Sequence, residues 1–395
     1  ELMENLVNSE ITKKEEEADI LVINSCTVTN SADSNLRNYI SQISRKNPDA
    51  KILVTGCAAH SIGEELYKDK RIFGVFGHSE KEKINEIINK DRRFYEISDL
   101  NFINENIVTD ISGKTRAFIK IQEGCDFECA YCIIPQVRGN ARSMPEEKIL
   151  SQIEVLSKNG FSEFILTGIN MGSYGKDTNT SLAKLLKKIF DIPAVKRVRL
   201  GSLEPSQIDE EFMEIIQNEK LERHLHIALQ YSDDEMLRIM KRRNRVNKTL
   251  KLFNKLADKG FALGTDFIVG HPGETEEMFN RAFENLKKFP ITHIHTFRYS
   301  PREGTYSATL KQNVPGDVAK KRHKQIEELV KEKNLEFRKR NKIPLKVLIE
   351  EEKNGYYQGF DQFFNKVLVK SQTNLIHQWI EIKEYEIKEV NYAEK

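Results

Sequence analysis

Scarcity marks this sequence first. It holds one tryptophan, and no uninterrupted apolar run reaches the roughly 18 residues of a membrane-spanning helix. Net charge is nearly absent, because 62 basic and 60 acidic residues leave +2. Such a balance does not mark a nucleic-acid binder, although local patches matter more than the sum. Low-complexity segments are lacking, and the only repetition is an alternation of strands and helices. Cysteine is sparse as well. Five thiols, an odd number in 395 residues, do not make a disulfide framework. A reducing, cytoplasmic compartment is expected, with no membrane association.

Three of the five stand together. The run CDFECAYC places Cys125, Cys129 and Cys132 at spacings of four and three, with Tyr131 just before the last. Three such thiolates can hold three irons of a 4Fe–4S cluster and leave the fourth open to a small molecule. Zinc is the competing reading, but a structural zinc site takes four ligands, and the nearest further thiol, Cys57, lies far upstream. The C-x3-C-x-aromatic-C pattern resembles the radical S-adenosylmethionine (SAM) enzymes. The resemblance implies that the open iron is chelated by the amino and carboxylate groups of SAM. It also implies that one electron cleaves SAM to a 5′-deoxyadenosyl radical. In such enzymes the cofactors carry the chemistry while the protein binds, orients and shields.

Hydrophobic patterning predicts an α/β chain of two or three domains. Residues 18 to 25, ADILVINS, read as a buried parallel strand ending at Cys26, with a helical segment following through Ile43. KILVTG leads to Cys57 and a helix from about Ser61, and IFGVFG precedes the helical KEKINEII. This alternation predicts an open parallel sheet over 1–105. Both cysteines sit past the carboxyl end of a strand, where such sheets bind ligands. Residues 91 to 112 lose periodicity and read as a linker. From Thr115 six strands are expected: RAFIKIQ, FSEFILTG, KRVRLGS, HLHIALQ, LGTDFIVG and HIHTFRYS. Helices are expected near 145–158, 209–218, 248–259 and 274–289. They predict a partial (β/α)6 barrel over 112–340, with function on the loops after the strands, where the cysteine run lies. A charged helix over about 317–340 follows. From Pro344 the composition turns β-rich, with a turn at Asn354-Gly355, which predicts a small all-β domain over 341–395.

Cys26 in NSCTVTNSAD and Cys57 in VTGCAAH, on a domain ahead of the barrel, narrow the resemblance to the methylthiotransferases, across essentially the whole chain. That resemblance implies an auxiliary 4Fe–4S cluster on three amino-terminal cysteines, a radical-SAM core and a carboxy-terminal TRAM domain. It implies sulfur insertion at an unreactive carbon, then methylation from a second SAM. The sequence departs from the family in carrying only two auxiliary cysteines, Cys26 and Cys57. The third normally lies on a strand ahead of a helix like the one that opens this chain at Glu1, with Leu2, Met3, Leu6 and Val7 on one face. A truncated amino terminus is therefore expected.

The resemblance also assigns SAM contacts. They are Tyr131; Thr167, Gly168 and Asn170 in LTGIN; Ser202 and Glu204 in GSLEP; Gln230; and Asp266 and Gly270 in GTDFIVGHPGET. The bland alternative for the last is a turn through Gly270, Pro272 and Gly273, with Glu274 and Thr275 starting a helix. Arg302 in YSPREGT is a candidate for meeting a carboxylate or phosphate. Arg138 and Arg142 either anchor substrate or SAM, or close the loop by ion pairs. QYSDD departs from the family, so Tyr231 and Ser232 receive no role.

Three substrate classes are known in the family: isopentenyladenosine in tRNA, threonylcarbamoyladenosine in tRNA, and an aspartate of a small-subunit ribosomal protein. CTVTNSAD, and Asp126 in CDFECAYCIIP, are similar to the threonylcarbamoyladenosine branch. The implied reaction is methylthiolation of C2 of the modified adenosine beside the anticodon. The implied partners are a tRNA anticodon loop and an electron donor such as flavodoxin or ferredoxin, and a monomer is expected. Lys241, Arg242, Arg243 and Arg245, and again Lys320, Lys321, Arg322 and Lys324, are either phosphate contacts or solvated helix faces. Of Tyr356, Tyr357, Phe360, Phe363 and Phe364, most are expected in the core of the β domain rather than stacked on bases. A non-catalytic metal or RNA-binding protein is the remaining alternative.

Overall fold

Apolar strands separated by helices hide both faces most readily by pairing in parallel. The computed structural model describes every residue except Glu1, Ser98, Asn104, Asp110 and Ser112, so the start of the chain and part of the expected linker lie outside the described residues. The first sheet consists of β1 (Ile20–Ser25), β2 (Lys51–Gly56), β3 (Ile72–Phe76) and β4 (Phe94–Glu96), parallel and in chain order. Two details differ from expectation. β1 is an edge strand rather than a buried one, and Val22 stays 37% exposed. β4 falls inside the expected linker, because three residues are too few to show a period and take strand geometry only by pairing with β3. The helix Asn30–Lys46 starts at Thr29, whose hydroxyl accepts from the Ala32 N–H, and buries Leu36, Ile40 and Ile43 along one stripe. The helix expected near Ser61 begins at Cys57 itself.

The barrel strands are β5 (Ala117–Lys120), β6 (Glu163–Thr167), β7 (Arg197–Leu200), β8 (His224–His226), β9 (Ala262–Val269) and β10 (His293–Arg298). They form two parallel three-stranded sheets, joined by the parallel bridges Val198 to Leu221 and Leu203 to Ile227. Helices cover the outside at Glu146–Lys158, Glu210–Ile215, Val246–Asp258 and Glu276–Lys288, and also at Leu182–Phe190 and Asp234–Ile239, which the periodicity reading did not include. Strand alternation sends Ile119, Phe164, Leu166, Val198, Leu225 and Leu263 outward into the helix-covered core. The other face of each strand lines the lumen, and it is largely polar: Glu163, Arg197, Arg199, His224, His226, Asp266, His293 and His295.

The 25-residue helix Gly316–Arg340 leads into a six-stranded sheet, β11 (Leu345–Lys353), β12 (Tyr356–Phe360), β13 (Lys366–Lys370), β14 (Trp379–Ile382), β15 (Glu386–Ile387) and β16 (Asn391–Glu394), ordered β14-β11-β12-β13-β16-β15. Pairing is antiparallel except between β13 and β16. The Asn354-Gly355 turn has φ of 54° and 77°, as a two-residue hairpin requires. The aromatics divide. Tyr357 packs against this domain's own core, and Phe363 is buried edge-on to Phe337. Phe360 and Phe364 instead stack on each other at 4.9 Å, and Phe364 stacks on His224 at 5.1 Å, closing the barrel floor. They leave their own core because the floor offers π and cation partners, Arg199 over Phe364 and Arg116 over Phe360. Arg197 donates to the Lys346 and Phe360 carbonyls across the same joint. Burial opposes the charge of Glu163, yet Arg199 and Arg197 together hold its carboxyl below the ordinary range. Among the described residues no helix is long and apolar enough to cross a membrane.

Candidate active site

The cysteine loop leaves β5 through Gln122 and Glu123, which pair with Arg142 and Ser143. Gly124 makes the turn at φ +71°, and a Cβ there would lie 1.9 Å from the Asn140 carbonyl oxygen, so a side chain would force the loop open. The loop is tied down throughout. Cys125 N–H donates to the Gly139 carbonyl (3.0 Å), Cys132 N–H to that of Cys129 (3.0 Å), and Ala130 N–H to that of Met240 (2.9 Å). Asp126 is a brace, accepting from the Ala141 N–H at 2.9 Å. All three thiols stay partly accessible. Burial pushes the Cys132 thiol up to about 12 and raises that of Cys125 too, so these two bare thiols keep their protons until a metal displaces them. Among the described residues only His226, Asp266 and His295 bring three such donor atoms within 4.8 Å of one another. The three sulfurs spread wider than the ligands of a single zinc ion.

Polar groups surround these sulfurs. Asn170 Nδ2 reaches Cys125 Sγ at 3.5 Å, and Arg242 Nη1 reaches Cys129 Sγ at 3.4 Å. Arg242 is buried and held by both oxygens of Glu204 (2.8 and 2.6 Å) and by the Ala228 carbonyl (2.7 Å). The Asn170 N–H donates to Gln122 Oε1 at 2.7 Å, while Asn170 Oδ1 is buried without a partner. Buried acceptors are rarely left unpaired. One beside a thiol loop fits a ligand that brings its own donor, as the SAM ammonium would. The residues therefore fit the cluster and its cosubstrate.

The other expected SAM contacts take varied places. Thr167 Oγ1 donates to the Ile119 carbonyl (3.3 Å), and Gly168 packs on Gln122 and Met171. Ser202 is half-buried after β7. Gln230 bends the chain at φ +67°, exchanging backbone hydrogen bonds with Asp266 and Ile268. Tyr131 meets His271 edge-on at 6.3 Å. Gly270 lies against Ala319 of the long helix and donates its N–H to Glu274, while Thr275 caps Glu276–Lys288, as the turn alternative describes. Asp266 stands on β9 inside the barrel, within the expected strand LGTDFIVG. Burial opposes its charge, but His226 Nε2 at 3.2 Å and His295 Nδ1 at 3.5 Å hold its carboxyl well below the ordinary range. Tyr231 and Ser232 are structural, donating to Glu274 and to the Ala282 carbonyl.

Between the domains, Cys26 is exposed at the end of β1 and Cys57 is buried. Arg138 donates to Cys57 Sγ (3.0 Å) and Glu123 (2.7 Å), joining the two cysteine-bearing regions, whereas Arg142 donates to three carbonyls and closes its own loop. The carboxylate that Arg302 meets is Asp33 at 2.7 Å, across the domain boundary. In the first basic cluster Arg242 alone points inward, while Lys241 and Arg243 stay exposed and Arg245 is half-buried. Arg242 is buried, Arg245 donates to the Arg242 and Asn244 carbonyls, Arg243 lies 4.0 Å over Phe127, and Lys241 4.5 Å over Tyr306. In the second cluster Arg322 is buried with Glu274 and Glu276, and Lys324 faces Glu328. Sequence reading did not single out Arg242 as a cluster neighbour, nor His226, His295 or His271. The available signal was the alternation in HLH and HIH, which puts imidazoles on one strand face.

Set beside known proteins, residues 119–286 match the Radical SAM superfamily, and residues 1–77 match the Uncharacterized protein family UPF0004. A Helicobacter pylori (strain J99) protein named "Putative methylthiotransferase" is 49% identical over 98% of this chain and 93% of its own length. Threonylcarbamoyladenosine tRNA methylthiotransferase MtaB of Bacillus subtilis is 34% identical over 93% of this chain and 86% of its own. Ribosomal protein uS12 methylthiotransferase RimO of Thermodesulfovibrio yellowstonii is 36% identical over 78% and 73%. Among solved structures, the radical SAM methyltransferase TsrM from Kitasatospora setae superposes with a TM-score of 0.58 at 14% identity, over 73% of this chain and 66% of that one, a likeness of fold.

Proposed function

The chain belongs to the radical SAM methylthiotransferases, and on that premise we propose that it places a methylthio group on C2 of N6-threonylcarbamoyladenosine beside the anticodon of tRNA. The observation that carries the substrate is a set of relatives named for threonylcarbamoyladenosine, 33% to 35% identical over 81% to 93% of this chain.

Cys125, Cys129 and Cys132 would hold the cluster, and Asn170 Oδ1 would accept from the SAM ammonium. When bound, the cluster and SAM supply the radical that takes a hydrogen from an unreactive carbon. The chain's own groups prepare the place. Arg242 sets a fixed positive charge beside Cys129, and Glu204 and Ala228 keep it from turning away. The outward-facing apolar side chains pack the barrel wall against its helices, and the Phe360–Phe364 stack closes its floor. Cys26 and Cys57, with Arg138 beside the latter, would hold the auxiliary group. Its anionic sulfur would be balanced by Lys81, Lys120, Arg138 and Arg142, which share an enclosed space with a single carboxylate, Glu123. Burial and the neighbouring Arg138 bring Lys81 down to about 8, the mark of positive charge lacking a counter-ion. The target adenosine lies in a loop and can be splayed into the barrel mouth without breaking a duplex.

The test is anaerobic reconstitution followed by reaction with tRNA carrying threonylcarbamoyladenosine, tRNA carrying isopentenyladenosine, and the ribosomal protein. Methylthiolated threonylcarbamoyladenosine is the expected product. Product on either of the other two alone would refute the assignment.

A further inference from the structure

The lumen contains a built cluster that the cofactor chemistry leaves unused. β8, β9 and β10 pair in parallel, with His226 level with Gly264, Gly264 with His293, and Asp266 with His295. The position between the histidines is glycine for a steric reason: a Cβ on Gly264 would lie 2.8 Å from His224 Nε2 and 3.1 Å from His226 Nδ1. The strand thus omits a side chain where imidazoles crowd in. Asp266 then takes His226 Nε2 at 3.2 Å and His295 Nδ1 at 3.5 Å, and the two rings stack at 5.3 Å.

These contacts leave the exposed ring of His295 with one nitrogen facing the lumen. His226 has Asp266 on Nε2, while its Nδ1 is turned toward Gly264 and its side chain is only 14% exposed. His295 spends Nδ1 on Asp266, and among the described residues no protein group meets its Nε2. Its side chain is 64% exposed to the lumen. The Asp266 carboxylate on Nδ1 raises the His295 pKa above the usual imidazole value, and the imidazolium so favoured presents Nε2–H outward. Phe297, two residues along the same strand face, is 45% exposed beside it. Other cations on the lumen faces have partners. Arg197 and Arg199 pair with Glu163 and Glu222, Lys120 with Glu123, and Arg242 with Glu204. Depth is also appropriate. His226 precedes by two residues, about 7 Å of strand, the Ala228 carbonyl that holds Arg242 against Cys129.

We infer that His295 is a specificity-determining residue whose Nε2–H binds the carboxylate of the substrate's threonylcarbamoyl arm, with Asp266 as its positioning residue. The inference rests on the tRNA substrate proposed above. Of the two modified adenosines in that family, only the threonylcarbamoyl one carries an anion. An apolar arm has no use for a charged donor held at this depth. The same three side chains also suit a divalent cation, which makes metal content part of the test.

The experiment compares wild type, His295→Ala, His295→Gln and Asp266→Asn after anaerobic reconstitution. Each reacts with tRNA bearing threonylcarbamoyladenosine and with the same tRNA whose arm ends in a primary amide. A charge-assisted hydrogen bond to the carboxylate predicts that wild type prefers the acid by about 10- to 100-fold in kcat/KM. His295→Ala is expected to lose that preference by falling on the acid alone, and His295→Gln to recover part of it. Iron, sulfide and melting temperature are expected to match wild type, which separates recognition from a folding role. A preference for the acid that survives His295→Ala overturns the inference. So does a stoichiometric non-cluster metal that wild type holds and His295→Ala and Asp266→Asn both lose. Wild type that makes no product from either tRNA removes the substrate assignment itself, a result visible before any variant is compared.

Discussion

Arg242 offers the sharpest test of how the site is held. Methionine at this position keeps most of the stem and removes the charge. The guanidinium is buried, donates to both oxygens of Glu204 and to the Ala228 carbonyl, and touches Cys129 Sγ. Its loss leaves the Glu204 carboxylate without its cation. Breaking a buried pair from one side costs about 3–5 kcal/mol. Glu204 keeps 17% of its side chain exposed, so water relieves part of the penalty and about 3 kcal/mol is expected. Glu204→Gln strands the arginine in the same way, although the Ala228 carbonyl still accepts from it, and about 2 kcal/mol is expected. The double variant leaves neither charge alone and should cost less than the sum, with a coupling of about 2 kcal/mol. The assay is urea unfolding of the iron-free protein in a double-mutant cycle, followed by circular dichroism. Iron and sulfide analysis after reconstitution accompanies it. Single effects that add within about 0.5 kcal/mol would show two independent side chains and refute the reasoning.

Three further outcomes are expected. Gly124→Ala, whose Cβ would meet the Asn140 carbonyl at 1.9 Å, should reconstitute with little iron while keeping its helix content; a full cluster would contradict the geometry. Arg302→Ala removes the buried link to Asp33, Thr27 and Asn30 and should speed amide exchange at residues 27–33, with unchanged protection in the barrel strands as the control. Acid should destabilise the iron-free protein, because burial lowers His60, His271 and His293 to about 4. These histidines stay neutral when folded, and the unfolded chain takes up more protons between about pH 6.5 and 4. Stability should therefore fall as pH drops through that window, by on the order of 3 kcal/mol for fully buried His271; a flat melting temperature across it would count against neutral burial.

What could be read from the sequence was what is local. The cysteine loop is one turn of chain, so its spacing already contains its chemistry. Five-residue apolar runs announce strands, and Thr29 or Thr275 announces the helix behind it. Contacts made by closing the barrel were not legible. Glu204 and Arg242 are 38 residues apart, and KRRNR looks like a surface patch until Lys241, at φ +54°, turns the chain and sends Arg242 inward. His226 and His295 meet only because Asp266 lies on the strand between them. Phe360 and Phe364 looked like core residues because composition says nothing about which surface an aromatic covers.

The aromatic floor has a consequence for the order in which the molecule is made. Arg197 and Arg199 leave the ribosome long before Lys346, Phe360 and Phe364, which supply their carbonyls and ring partners. Until about the last eighth of the chain emerges, the lower lumen holds charges facing water. The barrel can form its outer core of strands and helices early, but its floor is finished only when the β domain docks from below. The cofactor end of the barrel and the end that completes its folding are thus opposite mouths, and the nascent chain assembles one without the other.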